Sequence, residues 1–200
     1  MRWLTLYLRS RRVPVALAVV GGITALMWTL WSVFSNTREA GLPLVVLTVL
    51  VLVATLTATL AGPDDALERT AALRWPPRRA AHLLGGLAVI LVLLYATLLT
   101  GARFGPAGLV LRDAAGLLGL TALGSVTIGT AKAWCAPLGW TLIAIMFPQP
   151  GEGAGQVLTW QTQAPDNRAA AVTAALLTLS GLIAYAVAGP SRRAPAEAAL

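Results

Sequence analysis

Apolar runs about as long as a bilayer is thick recur along this chain, and they leave it few ways to fold. A run of about 18 apolar residues is the usual mark of a transmembrane helix. Runs of roughly that kind fall at 13–34, 42–61, 83–100, 109–131, 133–147 and 169–188. Between them, no polar stretch exceeds roughly 20 residues, well short of the ~40 that even a small aqueous core needs. With 57% hydrophobic and 12% charged residues, against about 25% charged in soluble domains, the bilayer must supply most of the burial. The expected fold is all-α, a polytopic membrane protein in a single membrane domain covering 1–200, with six transmembrane helices.

The fifth run is short. Its fifteen residues rise only ~22 Å against a hydrocarbon core of ~30 Å. Pro137 interrupts it early, so it is expected to be kinked, to share a bend with the fourth run, or to insert only in part.

Orientation follows from Lys and Arg. With both ends inside, the inner side carries Arg2, Arg9, Arg11, Arg12, Arg69, Arg74, Arg78, Arg79, Lys132, Arg192 and Arg193, and the outer side only Arg38, Arg103, Arg112 and Arg168. A five-span alternative would move Arg192 and Arg193 outward and weaken that asymmetry. The first twelve residues are basic, and Trp3, Leu6 and Tyr7 fall at helical spacing. They read either as a short interfacial helix or as a topology-setting tail. A signal peptide is disfavoured, because the next run is too long and carries no small-x-small cleavage site. Arginine's dominance over lysine, with abundant alanine, suggests a high-GC bacterial genome and hence a bacterial plasma membrane.

The longest polar interruption is 62–82, GPDDALERTAALRWPPRRAAH. Asp65 and Glu68 have the spacing of a capping box. Leu67, Ala71 and Trp75 form an apolar stripe, and Asp65, Glu68 and Arg74 complement the helix dipole. Pro76-Pro77 stops the helix. A short cytoplasmic helix between spans two and three is expected, docking a partner through Asp65, Leu67, Glu68, Arg69, Ala71, Arg74 and Trp75. A linker resting on lipid is the plainer alternative.

Chemistry is scarce. HExxH, GxSxG and Walker A motifs are absent, so hydrolase and intrinsic ATPase chemistry lack their residues. No catalytic residue, metal ligand set or cofactor site is expected. Cys135 is the only cysteine and reads as a small apolar residue in a span. The net charge of +7 lies beside apolar runs instead of forming a solvated basic face, which argues against nucleic acid. Ionisable groups at membrane depth default to functional candidates. Arg112 and Asp113, adjacent and pointing ~100° apart on a helix, are expected to pair poorly with each other. Arg112 and Lys132 read as snorkelling to headgroups, or else as part of an ion pair or substrate path. Thr48, Thr55 and Thr59 share one helix face. They either bond their own backbone or line a polar path. Thr121, Ser125 and Gly129 form a small-residue stripe that suits close helix approach.

This order of parts resembles the membrane subunit of an ABC-2-type transporter. That family combines an interfacial N-terminal helix, six spans, cytoplasmic ends, a coupling helix between spans two and three, and an extracellular excursion between spans five and six. Here these would be residues 1–12, 65–75 and 148–168. The stretches LERTAALRWPPRRAAHLL and LRDAAGLLGLTALG are similar to those of small permease-like proteins of high-GC bacteria. The resemblance implies an exporter of hydrophobic cargo, driven by a separate cytoplasmic ATPase subunit and built with a second permease subunit, identical or related. A non-transporting scaffold or regulatory subunit is the alternative from another class.

Overall fold

The computed structural model describes residues 2–61, 75–147 and 153–191, with side chains from Leu6 onward. Among these residues the chain is helical and contains no strand. The helices are α1 (Arg2–Ser10), α2 (Val13–Phe34), α3 (Leu42–Thr57), α4 (Trp75–Thr97), α5 (Ala107–Thr127), α6 (Cys135–Met146), α7 (Ala154–Leu158) and α8 (Arg168–Ala188). Two 3₁₀ turns, Thr130–Lys132 and Trp160–Thr162, join them.

Four helices, α2, α4, α5 and α8, are long and apolar enough to cross a membrane, and α3 is a shorter apolar helix. The chain is thus a multi-pass helical membrane protein. The first span occupies the expected residues. The third begins eight residues early, at Trp75, with Pro76 and Pro77 inside the helix. They occupy the first turn of α4, where a missing N–H leaves no helical bond unmade. The second span's helix ends at Thr57 and continues as turns to Ala61. The fifth segment is shorter still than expected. Only Cys135–Met146 is α-helical, a rise of ~18 Å.

Helix ends meet in two groups. At one end, the Trp28 indole donates to Thr100 Oγ1 at 2.9 Å. Arg103 N donates to Arg38 O at 2.7 Å, and Ala40 N to Arg103 O at 2.9 Å. There the end of α2, the start of α3, the end of α4 and the start of α5 come together. At the other end, Arg11 reaches Leu60 O and the Tyr185 hydroxyl, and Ser191 N donates to Ser125 O at 2.8 Å. Arg12, with φ 55, makes the left-handed corner that folds α1 back from α2.

The core centres on α5, which packs along its length against α8. A Cβ on Gly119 would strike the backbone of Leu177 and come within 2.6 Å of Thr178 Cα. A Cβ on Gly181 would strike the backbone of Gly119 in return. The two helices touch backbone to backbone. This is the close approach small residues permit in lipid, where dispersion contacts replace the hydrophobic drive.

Candidate functional site

A buried ion pair lies in the second turn of α5. Arg112 is 7% exposed and Asp113 is fully buried. The expectation that neighbours on a helix pair poorly is overturned: Arg112 Nε donates to Asp113 Oδ1 at 2.9 Å. The physical reason is reach. Arginine's long stem folds sideways around the helix and covers the ~100° between the two Cβ directions.

The guanidinium does not run to the headgroups either. It turns inward and donates to three carbonyls of the segment before α8: to Ala164 O at 2.9 Å through one terminal nitrogen, and to Gln163 O at 3.1 Å and Gln161 O at 3.2 Å through the other. Residues 159–167 are mostly non-helical; Ala164 O accepts a turn bond from Asn167 N at 3.1 Å, and Arg112 adds donors to it and to two neighbouring carbonyls. Irregular backbone beside a membrane helix is tolerated only where protein satisfies it. Arg112 supplies that satisfaction with a planar fork of donors, and Asp113 balances its charge.

Trp160 and Gln161 complete the cluster. Both are fully buried. Trp160 sits over the absent side chain of Gly116, where a Cβ would lie 2.5 Å from the ring. Trp140, from α6, donates its indole N–H to Leu158 O at 2.9 Å and so pins α7 to α6. Asp113 Oδ2, Trp160 Nε1 and both amide atoms of Gln161 are buried with no hydrogen-bond partner in the protein. An unmade buried hydrogen bond costs about 1–3 kcal/mol. Four such atoms fall among these residues, although buried polar groups are ordinarily paired.

The opposite end carries a second polar cluster. Arg11 is buried and lies 5.1 Å from the Tyr7 ring. Its NH1 group is 3.3 Å from Leu60 O and 3.4 Å from the Tyr185 hydroxyl, and Tyr185 also donates to Leu60 O at 2.9 Å. His82 Nε2 is 3.1 Å from Thr59 Oγ1, and the Tyr7 ring meets His82 edge-on at 6.1 Å. Arg11 thereby ties α1, the chain leaving α3 and the end of α8 into one knot.

The remaining sequence candidates fall as follows. Asp65, Leu67, Glu68, Arg69, Ala71 and Arg74 lie outside the described residues. Trp75 is the first residue of α4, half-buried, with the Arg78 guanidinium 5.8 Å from its ring centre. Thr48 and Thr55 donate to Leu44 O and Val51 O of their own helix, at 2.7 and 2.8 Å. Lys132 is exposed at the end of a 3₁₀ turn, at the opposite end of α5 from Arg112, so the structure does not join the two. Thr121 and Ser125 are buried on α5.

The sequence reading missed Trp160, Gln161, Arg11, Tyr185 and the Gly119–Gly181 contact. The last had a readable signal in Gly116 and Gly119, three residues apart, facing a helix with one central glycine. Among the described residues no cluster of His, Cys, Asp and Glu could hold a metal. No family model, no curated protein and no solved structure matches the chain.

Proposed function

We propose that the chain is the membrane subunit of an ABC-2-type exporter, in which a separate cytoplasmic ATPase acts on the 62–74 loop. In this reading six helical segments cross a bacterial plasma membrane. Both termini and the loop are cytoplasmic, a second permease subunit completes the transporter, and the cargo is hydrophobic.

The observation that supports it is the sorting of charge between the two ends. Arg9, Arg11, Arg12, Arg78, Arg79 and Lys132 gather at the end where α1, both borders of the loop and the end of α8 meet. The acids among the described residues, Glu39, Asp113 and Asp166, lie at the other end with Arg38, Arg103, Arg112 and Arg168. Positive charge collects on the cytoplasmic side, which is where a coupling loop belongs. A push on the loop would reach α8 through Leu60, Arg11 and Tyr185, and α4 through Trp75. In this reading the segment from α6 to the start of α8, with α7 and the Trp160–Thr162 turn, would be the extracellular excursion.

The test is affinity purification in mild detergent with identification of what accompanies the chain. A nucleotide-binding subunit is expected, with ATP hydrolysis that falls on charge reversal at Glu68 and Arg69. Repeated recovery of the chain without such a subunit overturns the transporter reading. An ATPase that binds but whose hydrolysis ignores the complex points to a scaffold.

A further inference from the structure

Helix α8 leans on α5 with one side and leaves most of its surface to whatever surrounds the bundle: only 28% of its most apolar window is buried. That outer surface has relief. Val172, Leu176, Leu179 and Ile183 are each more than half exposed. Spaced 4, 3 and 4 apart, they stand in a row along the helix. Beside the row runs a groove of about 470 Å³ between α8 and α5. Small residues form it, Gly108 and Ala115 on α5, and Ala171, Ala174 and Ala175 on α8. A Cβ on Gly108 would meet nothing within 4 Å. Ridge and groove occupy the same turns of α8, residues 172–183 and 171–179, so they lie at the same depth.

Charge marks the two sides in opposite senses. Pro165 lines the groove just before α8 begins, and Asp166 follows it, exposed. Arg168, also exposed, stands on the ridge's other flank with Val172 and Leu176. Neither is held in a salt bridge among the described residues.

We propose that α8 is the contact surface of a homodimer, in which the ridge of each copy fills the groove of the other about a twofold axis along the membrane normal. Such an axis makes every contact twice, from a single self-complementary patch. Ridge and groove stand side by side at one depth, so two parallel α8 helices bring them together without a shift along the membrane normal. Leu179 both belongs to the ridge and lines the groove, and it comes nearest its own counterpart. The same rotation sets Arg168 of each copy beside Asp166 of the other, and charge complementarity of this kind fixes the register of an interface. Helices pack by setting ridges into grooves. In lipid, small residues that allow close approach supply the dispersion contacts that hold them together. The proposal names the second subunit of the transporter reading as an identical copy. It uses nothing from the 62–74 loop, so a dimer that binds no ATPase leaves it standing.

The test is the mass of the full chain in mild detergent, by light scattering over a range of concentrations, together with oxidative cross-linking in the native membrane. A dimer is expected. Ala175→Trp fills the groove from an exposed position and is expected to abolish the dimer, leaving a monodisperse monomer. Leu176→Ala, which lowers the ridge, is read the same way should Ala175→Trp yield no folded protein. Asp166→Arg or Arg168→Asp alone is expected to shift the chain towards monomer. The two together are expected to restore the dimer, a recovery that a damaged fold would not show. Leu179→Cys is expected to give a cross-linked dimer above the background set by Cys135, and Val92→Cys, on the exposed face of α4, none above it. A monomer in both detergent and membrane, with lipid alone against α8, overturns the proposal. So does a dimer indifferent to the α8 variants, or one cross-linked through Val92→Cys instead.

Discussion

Helices α2 and α5 are nearly equal in length and both read as spans, yet they do opposite jobs. In α2 only 17% of the most apolar window is buried, against 78% in α5. The more apolar helix is the outer one. Lipid accepts any apolar side chain, so α2 can be a run of Val, Leu, Ala and Trp with few constraints on order. A helix enclosed by other helices must fit their shapes and satisfy their polar groups. It therefore carries Gly116, Gly119 and Gly124, the hydroxyls of Thr121 and Ser125, and an ion pair. In a bilayer, low hydropathy within a span is a sign of centrality.

The contrast breaks most completely by adding bulk to each helix. Gly119→Leu drives a side chain into the backbone of α8. Overpacking costs about 1–3 kcal/mol even where side chains can yield, and here backbone would have to move. We expect loss of the folded, monodisperse protein by size exclusion in detergent. Gly22→Leu in α2, where nothing lies within 4 Å of a Cβ, is expected to fold normally. Equal tolerance at both positions would remove the distinction.

A smaller effect is expected at Arg112. Arg112→Met leaves the Asp113 carboxylate unpaired and takes the arginine's donors from three carbonyls, of which Ala164 O keeps its bond from Asn167 N. Breaking a buried pair this way costs about 3–5 kcal/mol. The lowered Tm should come with faster proteolysis between Thr159 and Arg168, because the segment before α8 loses its tether. Lys132→Met, at an exposed position, serves as the control and should change neither.

The smallest effect sharpens the comparison between the two polar ends. Tyr185→Phe removes one hydrogen bond to Leu60 O and one contact with Arg11. Such bonds average about 0.6 kcal/mol in membrane bundles, reaching about 1.7. A Tm drop within that range is expected, since Arg11 still reaches Leu60 O. A loss as large as that of Arg112→Met would mean that the α1 end, too, depends on a single residue.

Four of the expected spans, α2, α4, α5 and α8, were legible in the sequence because hydropathy reports on an apolar surrounding. The ends of α2 and α8 fell within a residue of expectation for that reason. The start of α4 was placed too late because proline, read as a stop, is equally at home in the first turn of a following helix, and both roles fit one Pro-Pro pair. The Arg112–Asp113 pair was legible as a site but not as a geometry. Adjacent numbering fixes the Cβ directions, while the length of the arginine stem decides the outcome. Gln161 and Tyr185 were hidden for a simpler reason. Gln161 offers its own carbonyl to Arg112 and Tyr185 donates to Leu60 O, partners far off in the chain to which nothing local points.

The shortness of α6 has a consequence for the surrounding membrane. Helices α3 and α6 touch each other. With 16 and 12 residues they rise only ~24 and ~18 Å, whereas α4, with 23 residues, rises ~35 Å. If α6 crosses a bilayer, the lipid beside it must be thinner than beside α4, at fractions of a kcal/mol per Å of mismatch, and such a molecule is steadied where the membrane is thin.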